Sequence, residues 1–294
     1  MRRAAWLWRQ GYASLFPTFL MNERQSMASF DLDARFAFAS RLVTEAAEMA
    51  MGYFQRLGTL TVKSKGLQDM ASEADLNTEI LIRDRIAAAF PEDAFLGEET
   101  GRAEAMSGAR GIWVVDPIDG TQPFISNMPN WCVSIALVLD GRVELGFVAA
   151  PARQEVFIAR RNHGATLNGK PIAVRTAATM TDGLLGVGYS TRVPPKDFLL
   201  LLSAVLEQGG MFFRNGSGAL MLCDVACGRL IGYLEQHINS WDCLAALAMI
   251  EAAGGMVSDF LADDGMWTGH ALAAGAPEIF PSLAALVGVK ALEG

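Results

Sequence analysis

The segment GIWVVDPIDGT, residues 111–121, ends an uninterrupted apolar run with two carboxylates, Asp116 and Asp119. The run at 111–115 predicts a buried strand, so the chain needs a core sheet with acids at one edge. Acids in that position either face solvent in a turn or bind a cation. Because Asp and Gly are common in turns, this segment alone leaves both interpretations open.

Helical periodicity comes before the strands in the sequence. Apolar residues recur at helical spacing from Asp31 to Phe54 and predict a first amphipathic helix. A second helix is expected to begin at Asp75 and to end before Pro91. Residues 60–75 contain Lys, Gly and Asp that break the periodicity, and we expect a loop there.

Strands and further helices follow as far as the C-terminus. Apolar runs predict strands at 94–99, 111–117, 132–150, 155–161 and 230–235. Asp140-Gly141 marks the turn of a hairpin within 132–150. Helices are expected near 199–206, 218–228 and 241–253, the first of them as a core helix. The pattern predicts one α/β unit with layers of helix on sheet.

The composition argues against several functional classes. Of the 294 residues 51% are hydrophobic, which is ample for one large core. The formal net charge is −8 and basic residues form no run, so nucleic acid is not expected as the primary ligand. The four cysteines form no C-x-x-C pair, which favours a cytoplasmic location. No apolar run approaches the ~18–20 residues of a membrane span, and we expect no membrane partner.

Acids stand where predicted strands end or predicted helices begin. They are Asp75, Glu98, Glu99, Asp116, Asp119 and Asp242. Open α/β sheets bind ligands in the crevice at the carboxyl ends of their strands, so we expect these acids to converge. Converging carboxylates repel one another unless a cation lies between them, and Mg²⁺ takes oxygen ligands. Gly120 and Thr121 then offer backbone N–H groups to a phosphate at the start of the next helix.

Three motifs, in their order along the chain, resemble the signatures of the inositol monophosphatase family. They are GEE (97–99), DPIDGT (116–121) and WDCLAALAMIEAAGG (241–255), and DMASEAD (69–75) resembles a fourth motif of the same family. The resemblance implies an α/β fold, a sandwich of alternating helix and sheet layers in the order αβαβα. Pro123 and Glu73 depart from the family pattern, where many relatives have Asn and Thr.

The resemblance runs from about Met27 to the C-terminus. It implies a phosphatase domain at 27–294, with two closely packed sub-domains at about 27–180 and 181–294. Residues 1–26 lie outside it, and we expect them to be a poorly ordered N-terminal extension.

The same resemblance implies a site for two or three Mg²⁺ ions and inhibition by lithium. Glu98, Asp116 and the carbonyl of Ile118 would hold one ion. Asp116, Asp119 and Asp242 would hold a second, so Asp116 would bridge the two.

Catalytic roles also follow from the resemblance. Thr121, hydrogen-bonded to Asp75, would orient the attacking water together with Glu98. Gly120 and Thr121 would contact the phosphate. A plain N-cap of the following helix is the structural alternative for Thr121.

Substrate contacts are implied at three further positions. Glu235 stands seven residues before Asp242, where an acid in the family accepts hydrogen bonds from inositol hydroxyls. The alternative is a glutamate that ends a strand and faces water. Gly216 and Ser217 are expected at the substrate as well.

Two interpretations of nearby segments stay open. The loop with Lys65 and Asp69 closes over the site with a third metal, or it is a mobile surface loop. His237 is close enough in sequence to Asp242 to line the pocket, although we expect it at the surface.

The sequence therefore predicts a Mg²⁺-dependent phosphatase of inositol 1-phosphate or a similar small polyol phosphate, and the resemblance implies a homodimer. Histidinol-phosphate phosphatase is the alternative with the same metal chemistry. An alternative of another class is a regulatory or binding protein that retains the fold. Only Arg214 and Arg229 add basic groups in the segment 212–229, which favours a substrate with a single phosphate.

Overall fold

The computed structural model describes residues 30–59, 62–66, 69–102 and 109–292. The predicted extension at 1–26 lies outside this part of the chain. The chain divides into two compact units between Arg35 and Phe36. In the described part of the first unit, the N–H of Ala34 donates to Oδ1 of Asp31 at 2.8 Å. The layers and sites below lie in the second unit.

Helices and strands alternate along the described residues. The helices are α1 (Leu32–Phe54), α2 (Glu73–Ala89), α3 (Thr121–Ile125), α4 (Pro195–Glu207), α5 (Gly218–Ala226), α6 (Ser240–Ala252), α7 (Gly265–Thr268) and α8 (Phe280–Val287). The strands are β1 (Val62–Gly66), β2 (Asp69–Ser72), β3 (Ala94–Gly97), β4 (Gly101–Arg102), β5 (Gly111–Asp119), β6 (Cys132–Leu139), β7 (Arg142–Ala150), β8 (Glu155–Arg160), β9 (Gly164–Leu167), β10 (Lys170–Pro171), β11 (Leu184–Val187), β12 (Met211–Phe213), β13 (Gly232–Ile238), β14 (Met256–Val257) and β15 (His270–Gly275). Within this part of the chain no helix is both long and apolar enough to span a membrane.

The first sheet brings two acidic strand ends together. Its strand order among the described residues is β10-β9-β8-β7-β6-β5-β3-β4. β3 and β5 run parallel, while the hairpin partners on either side are antiparallel. The acids that follow β3 and those that end β5 therefore lie at the same edge. The predicted hairpin turn is confirmed, with φ values of 50° at Asp140 and 79° at Gly141.

The second sheet has three parallel strands at one side. Its strand order is β12-β11-β13-β15-β14, with β12, β11 and β13 parallel. β15 is antiparallel to β13 and to β14. The segments after Val187 and Phe213 thus emerge beside the C-terminal half of β13, where Glu235 follows Leu234, the residue opposite Val187.

The elements form five layers. α5 and α6 lie between the sheets, because one core cluster joins Val148 of β7, Leu222 of α5 and Leu272 of β15. α4 and α8 pack on the other face of the second sheet. α1 and α2 pack on the outer face of the first, with Phe36 and Phe147 rings 5.7 Å apart. The predicted αβαβα order of layers is confirmed.

The prediction of a loop over residues 60–75 is wrong. The described part of this segment forms an antiparallel hairpin of β1 and β2, with Val62 opposite Ser72 and Lys63 opposite Ala71. The polar composition misled the prediction, since antiparallel strands tolerate polar residues when one face is solvated.

The prediction that 199–206 is a core helix is only half right. The segment is helical, but Leu199 and Leu200 are 62% and 60% exposed, whereas Leu201 and Val205 are buried. Consecutive leucines point around a helix, so a helix in an outer layer buries only those on one face.

Candidate functional site

Three carboxylates form the centre of the site. Asp116 and Asp119 end β5, and Asp242 lies in the first turn of α6. One carboxylate oxygen from each lies within 4.8 Å of the other two. Asp116 and Asp119 are 1% and 6% exposed, and Asp242 is half-buried. The geometry thus brings together three of the six acids that were expected to converge.

Backbone groups fix each of these carboxylates. Oδ1 of Asp116 accepts from the N–H of Ile118 at 2.9 Å, which holds the turn after β5. Asp242 accepts from both the backbone and the side-chain nitrogen of Asn239, at 3.2 and 3.1 Å, in a capping box of α6. The cluster is thus built into strand and helix ends, whose hydrogen bonds orient its carboxylates.

Asp119 also caps α5. Its carboxylate accepts from the N–H of Ala219 at 2.7 Å, from the N–H of Gly218 at 3.3 Å and from the hydroxyl of Ser217. Unpaired N–H groups and the positive end of the helix dipole favour a carboxylate there. Ser217 is fully buried, so it contacts Asp119 instead of opening onto the pocket.

The ionisation of the cluster reflects both burial and repulsion. Burial, and then the charges of Glu98, Asp119 and Asp242, raise the pKa of Asp116 well above its ordinary value. Burial and the charge of Asp242 raise the pKa of Asp119 to about 7. A divalent cation removes both penalties, since it replaces solvent and neutralises the repulsion. All donors are oxygens, so the set fits Mg²⁺.

Glu98 directly follows the neighbouring strand β3, and its charge acts on Asp116. Its N–H donates to the carbonyl of Val115 at 3.2 Å, which sets it beside the end of β5. Glu79, which the sequence analysis missed, accepts from the N–H groups of Glu99 and Thr100 at 2.8 and 2.7 Å. Glu79 lies one helical turn after Asp75 on α2, and that i, i+4 spacing of acids was the available signal.

Thr121 lies against Asp75 as expected from the resemblance. Its hydroxyl is 3.3 Å from Oδ1 of the fully buried Asp75 and 3.2 Å from the carbonyl of Ile118. Thr121 is the first residue of α3 and Gly120 is the N-cap, so the alternative of a plain N-cap is wrong. Gly120 has φ 95°, and a Cβ there would lie 2.6 Å from the carbonyl oxygen of Asn130.

A polar pocket of about 170 Å³ opens beside the carboxylates. Its lining residues are Asp119, Gly188, Tyr189, Ser190, Arg192, Arg214, Gly216, Gly218, Met221, Tyr233, Glu235, His237, Ile238, Asn239 and Asp242. Glu235 is only 6% exposed, so it does not face open solvent as the alternative required.

Tyr233 holds Glu235 in this pocket and was not foreseen from the sequence. Its hydroxyl donates to Oε2 of Glu235 at 2.5 Å. A Cβ on Gly188 would collide with both groups, so only glycine leaves room for the pair. Burial raises the pKa of Glu235 to about 8, while the Tyr233 hydrogen bond lowers it.

His237 and Arg192 also differ from expectation. His237 is half-buried and lines the pocket, with Nε2 3.0 Å from the carbonyl oxygen of Thr268, so the expected surface role is wrong. Arg192 lines the pocket too, and the sequence analysis missed it. Both residues lie near or after the carboxyl ends of parallel strands. Ligands of open α/β sheets bind at these ends, which is the rule that also pointed to the acids.

Lys65 and Asp69 lie in β1 and β2. Their side chains are outside the described part of the chain, so their predicted role over the site stays a prediction.

The fold and the site define a layered α/β protein with a cluster of three carboxylates beside a polar pocket. The model of the inositol monophosphatase family matches residues 31–288. The chain belongs to this family.

Individual relatives agree with the assignment. A protein named Nus factor SuhB from Pseudomonas aeruginosa is 36% identical over 227 residues, which cover 76% of this chain and 84% of the relative. The Nus factor SuhB of Escherichia coli is 32% identical over 250 residues, 84% of this chain and 93% of that protein.

Solved structures show the same fold. The extragenic suppressor protein SuhB from Bartonella henselae has a TM-score of 0.80 at 28% identity, covering 86% of this chain and 98% of its own. An inositol monophosphatase from Anabaena has a TM-score of 0.74 at 26% identity, with 88% and 97% covered.

Proposed function

We propose that the protein is a Mg²⁺-dependent phosphomonoesterase of inositol 1-phosphate or a similar small polyol phosphate. The observation that carries this proposal is the cluster of Asp116, Asp119 and Asp242, which shares a pocket with Glu235 in a chain of the inositol monophosphatase family. A cluster of buried acids favours a cation, and the pocket beside it is polar enough for a hydroxylated substrate.

The site residues would have two separate roles. One set would hold the metal ions, and the other would orient the attacking water. Glu98, Asp116, the carbonyl of Ile118, Asp119 and Asp242 would hold two or three Mg²⁺ ions. Bound Mg²⁺ supplies positive charge at the phosphate, which favours attack by water and stabilises the leaving oxygen. Lithium inhibition is part of the same proposal.

Thr121 and Asp75 would orient the attacking water. The Thr121 hydroxyl donates to Asp75, which leaves its oxygen lone pairs able to accept a hydrogen bond from that water. The buried Asp75 holds the hydroxyl in this direction, and Glu98 would fix the water from the other side. The backbone groups of Gly120 and Thr121 at the start of α3 would contact the phosphate.

Glu235 would recognise the alcohol part of the substrate. A carboxylate accepts hydrogen bonds from two neighbouring hydroxyls, and Tyr233 already fixes one of its oxygens. Glu235→Ala is expected to raise KM for inositol 1-phosphate by roughly 10- to 100-fold, the scale of a hydrogen bond to a charged group. It should barely change hydrolysis of a phosphate ester without ring hydroxyls. Equal losses on both substrates would contradict this role.

Histidinol phosphate is the alternative substrate. Its ammonium group would pair with the Glu235 carboxylate in the same pocket. A panel of inositol 1-phosphate and histidinol phosphate, measured with Mg²⁺ and with excess chelator, separates the two. Higher kcat/KM for inositol 1-phosphate supports the proposal, and full activity in chelator sinks it.

A regulatory or binding protein is the candidate of another class. The name Nus factor, carried by relatives from several bacteria, favours a transcription-associated role. An apolar surface also favours a protein partner. This α4–β12 surface consists of the exposed side chains of Leu199, Leu200, Leu206, Met211 and Phe212. Large exposed apolar patches are typical of protein interfaces. Absence of metal-dependent phosphate release would favour this class.

The same α4–β12 surface also supports the proposed homodimer, because a second copy of the chain would bury it. β12 is the edge strand of its sheet, and its exposed apolar side chains continue onto α4. An exposed apolar edge strand offers unpaired backbone groups with which another chain can pair.

A further inference from the structure

Two guanidinium groups line the pocket beside Glu235. Arg192 and Arg214 are both exposed, and each lines the pocket that contains Asp242 and Glu235. Among the described residues, neither guanidinium has a hydrogen bond or an ion pair within 4.0 Å. Most other pocket groups already have a partner, so these two cations are available to a ligand.

The fold brings the two arginines to one edge. Arg214 directly follows β12, and Arg192 follows β11 in a turn closed by the N–H of Val193, which donates to the carbonyl of Ser190 at 3.0 Å. Glu235 lies on β13, the parallel neighbour of β11. Ligands of open α/β sheets bind at such carboxyl edges.

The charges in the pocket do not balance once the metal ligands are set aside. Its acids are Asp119, Asp242 and Glu235, and the first two belong to the metal cluster. That leaves two guanidinium groups against a single acid, Glu235.

The charge of one guanidinium group affects the pKa of the acid beside it. Burial raises the pKa of Glu235, and the charge of Arg214 acts in the opposite direction and lowers it. A neutral polyol would give the two guanidinium groups no anionic partner, and an ammonium group would be repelled by their charge.

We propose that the alcohol part of the substrate carries a second anionic group, a carboxylate or a second phosphate, that Arg192 and Arg214 bind. The inference rests on the proposed phosphatase function and changes its expected substrate class from neutral polyol phosphates to phosphates with an anionic alcohol part. Guanidinium groups suit this task because they donate paired hydrogen bonds to planar or tetrahedral oxyanions.

The inference reverses one expectation from the sequence. The expectation of a single phosphate assumed that Arg214 and Arg229 were the relevant basic groups. Arg229 is bonded to Asp224 at 2.8 Å and to Glu155 at 2.5 Å, and it does not line the pocket. Arg192 lies outside the segment 212–229, and it lines the pocket where Arg229 was expected to do so.

The test compares substrates that differ in the charge of the alcohol part. Full-length protein with Mg²⁺ is assayed on inositol 1-phosphate and glycerol 2-phosphate, which have neutral alcohols. It is also assayed on 3-phosphoglycerate and fructose 1,6-bisphosphate, which add a carboxylate or a phosphate. We expect kcat/KM to be at least about 10-fold higher for one of the anionic pair, the scale of a charge-assisted hydrogen bond.

Variants then assign the preference to the two arginines. Arg192→Gln and Arg214→Gln should each lower kcat/KM for the favoured anionic substrate by roughly 10- to 100-fold, mainly through KM, and change the neutral substrates less than about threefold. Arg192→Lys should retain part of the preference. Arg110→Gln is the matched control, since Arg110 pairs with Asp140 at the hairpin turn, outside the pocket lining.

Each contrary outcome has a distinct meaning. Equal losses on neutral and anionic substrates, with melting temperatures unchanged, would place the arginines at the transferred phosphate and overturn the inference. Wild-type turnover without any preference for anionic substrates would overturn the inference and leave the proposed phosphatase function standing. Failure to release phosphate from all four compounds would overturn the proposed function and the inference together.

Discussion

Glu235 shows how strongly one buried residue can tie stability to pH. It is 6% exposed, its pKa is raised to about 8 by burial, and its hydrogen-bond donor is the fully buried Tyr233. A carboxyl with these surroundings is mostly protonated at neutral pH in the folded protein without metal, whereas it is ionised in the unfolded chain. The carboxylate that would accept substrate hydroxyls belongs to the Mg²⁺-bound protein, where the cations offset the charges of Asp242 and Asp119 that raise this pKa.

The metal-free protein should therefore lose stability as pH rises. The folded-state pKa of Glu235 lies above the unfolded value, so its contribution is complete below about pH 4.5 and is lost as pH rises through about 8. The unfolding free energy should fall by up to about 1.4 kcal/mol per pH unit for this proton within that window. Chemical denaturation at pH 5, 6, 7 and 8 measures the slope.

Glu235→Gln provides the comparison for this prediction. Glutamine keeps the shape but does not titrate, so its slope between pH 5 and 8 should be shallower than that of the wild type. The remaining slope belongs to other buried acids such as Asp119. Identical slopes in the two proteins would contradict the pKa shift.

At the scale of single elements, α5 links the fold to the site. Ser217 caps this helix by accepting from the N–H of Leu220 at 3.2 Å, and its own hydroxyl donates to Asp119. The helix start and a member of the carboxylate cluster thus depend on the same side chain.

Ser217→Ala should weaken both features. Loss of the cap should lower the unfolding free energy by about 1–2 kcal/mol, because N-cap substitutions cost that amount. Loss of the Asp119 hydrogen bond should also raise the Mg²⁺ concentration that gives half-maximal stabilisation in thermal denaturation. Ser203→Ala on α4, whose hydroxyl bonds Glu207 at the surface, is the control. Equal effects of the two substitutions would contradict the assignment.

Elements were predicted from the sequence where a period or a turn residue marked them. α1 has a helical period, and Asp140-Gly141 marks its hairpin through positive φ values. The β1–β2 hairpin was missed because its polar residues carry no period-two signal, although its two strands pair with each other.

The site residues were likewise predictable from the sequence only where a local pattern marked them. Asp116, Asp119 and Asp242 were found because acids at strand and helix ends form a recognisable pattern. Tyr233 and Arg192 were missed because their roles depend on which strands are neighbours, and that order is not written in local sequence.

For the whole molecule, the five-layer arrangement leaves α4 and the edge strand β12 covered on one side only. We expect the α4–β12 surface to pair with a second copy of the chain. Leu200→Lys combined with Met211→Lys should convert a dimer to a monomer in sedimentation equilibrium, since both side chains are about 60% exposed and a charge there opposes association without disturbing the core. Leu76→Lys, exposed on α2, is the control. A monomeric wild type would contradict the prediction.

The proposed domain boundary is tested by truncation. The family match begins at residue 31, so deletion of residues 1–26 should leave phosphate release and melting temperature nearly unchanged. A fall in melting temperature of many degrees would show that the domain at 27–294 needs the preceding segment.

The central claim is that Asp116 is shared by the metal ions that make the site catalytic. Its substitution by Asn keeps the size and hydrogen bonding of the side chain while removing the charge that Mg²⁺ requires. The direct measurement is phosphate release from the panel's preferred substrate in saturating Mg²⁺, by wild type and Asp116→Asn of equal melting temperature. We predict at least about a 100-fold loss in kcat. A variant that kept more than about a tenth of wild-type activity would contradict the metal assignment.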